Sequence, residues 1–85
     1  MEIKVFGPGC ARCKQTEAIV SQAIAETTYD VSLKKISDLK EIMAAGVMST
    51  PALSIQGTIV CAGRVPTKSE VLAWLRDFSE GQHRG

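Results

Sequence analysis

The sequence predicts an α/β fold with the element order β-α-β-α-β-β-α. Three observations predict it. Short strand-like runs alternate with stretches whose apolar residues recur at helical spacing. Asp38 with Glu41 and Thr67 with Glu70 are capping-box patterns that mark helix starts. Gln56-Gly57 separates two strand-forming runs by a two-residue hairpin turn. Joined through a helix, the first two strands are expected to lie parallel. The last two pair antiparallel, giving a mixed four-stranded sheet covered by helices on both faces.

Each element has its own reason. Residues 2–6 end in Val5-Phe6, which suits a short, largely buried strand, and Gly7-Pro8-Gly9 stops it in a tight exposed turn. A helix begins at about Cys10, where Thr16, Ile19, Val20, Ala23 and Ile24 form one apolar stripe; Thr27, Thr28 and Asp30 end it. Val31 and Leu33 alternate with Ser32 and Lys34, and Ile36 completes a second strand. The short helix opened by Asp38 carries Leu39, Ile42 and Met43, with Met43 expected in the core, and stops at Gly46. Ala52-Leu53-Ser54-Ile55 and Thr58-Ile59-Val60-Cys61-Ala62 form the hairpin, and Gly63 breaks it. The last helix, opened by Thr67 after Pro66, turns Val71, Leu72, Trp74, Leu75 and Phe78 to one face. Trp74 reads as core.

The chain has 85 residues, enough for one domain and one site on its rim. Residues 1–80 are expected to form that domain, and the polar tail at 81–85 to fray. The composition, 45% hydrophobic and 22% charged, is that of a soluble globular protein. Ten Lys and Arg against nine Asp and Glu leave a net charge of +1, and only Lys34-Lys35 are adjacent, so no basic face is expected for nucleic acid or an anionic membrane. Six residues precede the first break, too few for a signal-peptide apolar region, and no run approaches the roughly 20 apolar residues of a membrane helix. The reading is of a cytoplasmic monomer. Three cysteines are an odd number and do not form a closed disulfide framework.

Cys10-Ala11-Arg12-Cys13 carries the chemistry. It follows a strand and a Gly-rich turn and opens a helix. Backbone N–H groups at a helix start are unpaired and carry partial positive charge, which stabilises a thiolate at Cys10; Arg12 adds a nearby full charge and lowers the pKa further. A free thiol with pKa near 8.5 is only about 3% ionised at pH 7, whereas one near 7 is about half ionised. Cys10 is therefore assigned as the nucleophile. Cys13 lies one helical turn on, leaning toward the buried stripe, and suits the resolving thiol. Gly9, with no side chain, lets a substrate disulfide approach.

Other readings of the pair compete. A zinc site needs four ligands, and only Cys61 and the tail residue His83 remain. Two thiolates also suit Cu(I), so a soft-metal binding or chaperone module is the alternative function. A third reading lets the disulfide state gate a binding partner. Cys61 itself reads as a small apolar strand residue.

"GPGCARCKQTE", "GVMSTPAL" and "AGRVPTKSE" together resemble the thioredoxin/glutaredoxin superfamily, in particular its small glutaredoxin-like branch of redox-active disulfide proteins with a minimal thioredoxin fold. The resemblance runs from Ile3 to about Phe78. It implies a thioredoxin-like fold in which Cys10 and Cys13 are the nucleophilic and resolving thiols and Pro51, after Thr50, is cis and faces them. Thr50 would offer backbone hydrogen bonds to an extended substrate segment, with Gly63 bordering the same groove. Met48, by its place just before Thr50-Pro51, is expected to face partners. It implies a protein-disulfide reductase with no bound cofactor. Its partners would be disulfide-containing proteins and a thioredoxin-reductase-like flavoenzyme or other dithiol reductant. The chain departs from larger thioredoxins at Gly9, where they place an aromatic residue, and at Lys4, where they bury a carboxylate. Ala11-Arg12 departs from the Pro-aromatic insert of glutaredoxins.

Overall fold

The computed structural model describes residues 1–79; the tail at 81–85, with His83, lies outside the described residues. The elements are β1 (Glu2–Phe6), α1 (Ala11–Ala25), β2 (Ser32–Ile36), α2 (Leu39–Ala44), β3 (Ala52–Ile55), β4 (Thr58–Ala62) and α3 (Lys68–Ser79), the order expected. The sheet runs β2-β1-β3-β4. β1 is parallel to β2 and antiparallel to β3, and β3 is antiparallel to β4.

The period-two alternation of β1 divides the core. Ile3 and Val5 face α1 and α3, where they meet Val20, Leu53, Val71 and Leu75 in the main cluster. Phe6 faces the other way, toward α2, and packs with Ile42, Val47 and Ala52 in a smaller one. Burying a side chain such as Leu53 contributes about 1.5–3 kcal/mol, and the α1/α3 face buries more such side chains than the α2 face. On the α2 face, Lys4 and Lys34 remain partly exposed and pair with Glu2 at 3.8 and 3.3 Å.

Two details depart from the sequence reading. Met43 is not core: 74% of its surface is exposed, because the six-residue α2 buries only Ile42. The hairpin turns at Gln56 and Gly57, both with positive φ (53° and 84°), as a two-residue primed turn requires. Strict pairing from that turn would set Cys61 opposite Ala52. Instead Val60 is an extra residue in β4, so Cys61 pairs with Leu53 and faces the main core. Among the described residues, no helix is long and apolar enough to cross a membrane.

Candidate functional site

β1 delivers the chain to the site and α1 displays it. Cys10 is the N-cap of α1, with extended backbone (φ −70°, ψ 170°), and its carbonyl accepts the first helical hydrogen bond from Lys14 N at 3.0 Å. Its thiol is exposed; Cys13, one turn on, is buried to 1% exposure. The two sulfurs are 2.9 Å apart as free thiols. Thr16, buried one turn below Cys13, donates its hydroxyl to Arg12 O at 2.9 Å and so leaves no buried polar atom unmet.

The environments drive the two thiols apart. The Cys13 thiol, donating to the Cys10 sulfur, holds Cys10 below its ordinary value, and the N–H groups of Cys13 and Arg12 add to this. No first-turn N–H makes a full cap hydrogen bond to the side chain of Cys10, so these amides act as oriented dipoles. At position 12 the backbone N–H is one of the groups that lower the thiol. Cys13 is pushed up, first by burial and then by donating to Cys10. The two groups titrate as a pair.

The other expected residues lie in different surroundings. Gly9 is exposed with φ +93°, and a Cβ there would meet no atom of the chain, so backbone conformation is what requires the glycine. Thr50 is exposed, Pro51 is buried, and the peptide bond between them is cis. Met48 is 96% exposed and, with Met43, Gly46 and Val47, lines a recess of about 450 Å³. Gly63 has φ +80°, donates its N–H to Pro51 O at 2.9 Å, and would bring a Cβ within 3.1 Å of Ser49 Cβ. Lys4 lies with Phe6 on the α2 side of the sheet. Cys61 is buried, its S–H directed at Arg64 O at 3.6 Å, and burial pushes its thiol up. Trp74 packs at the margin of the main core.

Gly7 is the residue that sequence reasoning missed. A Cβ there would lie 2.1 Å from Cys13 Sγ and 4.0 Å from Thr50 Cβ, so the glycine makes room for the buried sulfur and brings Thr50 beside it. Its φ is not positive, and its N–H continues the β1–β2 ladder to Ile36 O at 2.9 Å. Within Gly-Pro-Gly it reads as one more turn residue; only the strand register reveals that it faces Cys13. Among the described residues, no His, Cys, Asp or Glu joins the pair in a cluster of three that would hold a metal ion.

Comparison with known proteins adds a family to this geometry. Residues 1–76 match the family model described as a thioredoxin domain. A thioredoxin of Methanocaldococcus jannaschii is 35% identical over 80 residues, covering 94% of this chain and 92% of that protein. A thioredoxin of Methanothermobacter thermautotrophicus is 34% identical over 71 residues, covering 84% of this chain and 92% of that protein. The domain match spans the dithiol, the sheet and most of the last helix, and on it and the two relatives the chain belongs to the thioredoxin family.

Proposed function

We propose that the protein is a small thiol-disulfide oxidoreductase that reduces disulfides of partner proteins through Cys10 and Cys13. The observation that carries the reading is the asymmetry of the sulfur pair. One thiol is in water and held toward its thiolate; the other is buried, held as the thiol, and 2.9 Å away.

The chemistry follows from that asymmetry. The Cys10 thiolate attacks one sulfur of a partner disulfide; that S–S bond breaks as a bond to Cys10 forms. The partner's other sulfur leaves as a thiolate and takes a proton from solvent. Cys13 then gives up its proton and attacks Cys10 Sγ, closing the 2.9 Å gap to a bond of about 2.05 Å. The second partner sulfur leaves and is protonated. The partner gains two electrons and two protons, and the chain is left with a Cys10–Cys13 disulfide. A thioredoxin-reductase-like flavoenzyme or another dithiol reductant returns the electrons. The exposed Thr50, just before β3, is suited to align an extended partner segment beside the sulfurs.

Insulin reduction by wild type, Cys10→Ser and Cys13→Ser tests the reading. Wild type turns over, Cys10→Ser does not, and Cys13→Ser accumulates a mixed disulfide. Full activity in Cys10→Ser would overturn the assignment. Tight one-to-one Cu(I) binding with no disulfide exchange would replace it with the soft-metal reading.

A further inference from the structure

The loop from Gly63 to Thr67 joins β4 to α3, and at Gly63 it lies against the segment that precedes β3. Gly63 N donates to Pro51 O at 2.9 Å, and the space for a Cβ on Gly63 is already taken up by Ser49, 3.1 Å away. Gly63 has no side chain to hold it there. The hold comes from further along the loop. Arg64 Nη1 and Nη2 donate to the two carboxylate oxygens of Glu70 at 2.8 and 2.7 Å. Thr67 N and Oγ1 donate to Glu70 Oε1 at 3.0 and 3.3 Å, and Glu70 N donates back to Thr67 Oγ1 at 3.1 Å. Pro66, between them, is fully buried.

A capping box needs only Thr67 and Glu70. Arg64 is additional. Its ion pair is exposed to solvent, and exposed pairs add little to global stability. What a bidentate guanidinium–carboxylate pair does supply is orientation, because two parallel hydrogen bonds fix a plane. Here that plane fixes the residue next to Gly63.

We propose that Arg64 and Glu70 are positioning residues of the exchange site: paired through two hydrogen bonds, they clamp the loop 63–67 onto α3, and through Gly63 they hold the Ser49-Thr50-Pro51 segment in place for the partner's chain. The inference rests on the exchange reading above. It assigns the pair to partner alignment and leaves the sulfurs untouched.

Arg64→Ala is the principal variant, because it leaves the Thr67–Glu70 cap intact. Glu70→Gln is the second; it keeps a cap acceptor and removes the charge. Amide exchange of the reduced full chain reads the clamp directly: Gly63 N–H should exchange at least about tenfold faster than in wild type, while β1 amides keep their rates. Insulin reduction reads the consequence: KM should rise roughly three- to tenfold, with kcat within about twofold. The Cys10 thiol, titrated by ultraviolet absorbance, should keep its wild-type value. The double variant should lose no more than either single one.

A folded Arg64→Ala protein with wild-type KM overturns the proposal. So does a raised KM without faster Gly63 exchange, and so does a loss confined to kcat with a displaced Cys10 titration. An active wild type with unaltered variants sinks this role alone. A wild type that reduces no disulfide sinks the exchange reading, and this role falls with it.

Discussion

At the start of α3 the unpaired N–H groups meet a hydroxyl and a carboxylate, whereas at the start of α1 they meet only sulfur. Thr67 and Glu70 cap α3 reciprocally, and Arg64 backs the carboxylate. α1 has Cys10 at its cap with no side-chain hydrogen bond to its first turn, and no acidic residue in that turn. A polar N-cap contributes about 1 kcal/mol, so α1 forgoes a stabilisation that α3 takes. α1 can forgo it because its fifteen residues bury Cys13, Thr16, Val20 and Ala23 against the sheet and α3. The difference teaches where this chain spends its helix dipoles. Donors left open at α1 favour a charge that comes and goes with the Cys10 proton; donors closed at α3 favour a fixed backbone.

The sharpest way to break the comparison is to remove the sulfur from the open end. Cys10→Ser keeps a polar cap of similar size but cannot attack a disulfide, and insulin reduction should fall at least about hundredfold. Cys13→Ser should leave the first attack intact and stall at the mixed disulfide, seen as a partner adduct in mass spectrometry. Equal adduct formation in both variants would mean that the two sulfurs do not have distinct roles.

Gly7→Ala tests whether the open end depends on the space beneath it. The new methyl would overlap Cys13 Sγ, 2.1 Å away, and overpacking of this kind costs about 1–3 kcal/mol. The urea midpoint should drop, and release of the mixed disulfide should slow more than its formation, because Cys13 is the atom displaced. A wild-type midpoint and release rate would show that β1 yields to the methyl.

The two helix starts also differ in how legible they were. The α3 cap lies within four residues of sequence, and Thr67-Lys68-Ser69-Glu70 announces it; so does the Gln56-Gly57 turn. Cys10 and Cys13 were legible for the same reason, since one helical turn is a local distance. Arg64 reaches Glu70 across a loop, Gly7 meets Cys13 through the sheet register, and the extra residue Val60 in β4 decides which way Cys61 points. These are tertiary facts with no periodic signature. Met43 misled because helical spacing says which face a residue shares, and α2 is too short to bury that face.

Exchanging the caps sharpens the comparison at smaller amplitude. Cys10→Asp puts a permanent carboxylate where backbone dihedrals already suit an N-cap, and the melting temperature should rise by about 4 °C while exchange is lost. Thr67→Ala removes the α3 cap hydroxyl and should cost about 1 kcal/mol, or roughly 4–8 °C, with the Cys10 titration unmoved. Scanning calorimetry of both variants decides. A Cys10→Asp protein less stable than wild type would mean that the first turn of α1 is not short of an acceptor.

The smallest effect is in the pH dependence of stability, where both ends have the same sign in different windows. Arg64 and then the Thr67 N–H hold the Glu70 carboxyl down at about 2 in the folded chain. An unfolded Glu titrates near 4.3, so as the pH falls below ~5 the unfolded chain takes up a proton that the folded chain refuses. The contribution is therefore complete above ~5, declines as the pH falls, and is gone below about 2. Its size is limited by solvent and shrinks with salt, because the pair is exposed. Cys10 is lowered too, so the reduced chain gains stability as the pH rises from the folded Cys10 value toward the ~8.5 of an unfolded thiol. Above that, Cys13 and Cys61, both pushed up by burial, act in the opposite direction. Urea midpoints of the reduced wild type, Glu70→Gln and Cys10→Ser separate the two windows. The gap to Glu70→Gln should narrow from about pH 7 to about pH 3 and again at high salt, while the gap to Cys10→Ser should change only between the folded Cys10 value and the ~8.5 of an unfolded thiol. A Glu70→Gln gap that ignores both acid and salt would mean that the carboxylate acts at α3 as a neutral acceptor, and the contrast between a fixed and a transient charge at the two helix starts would collapse.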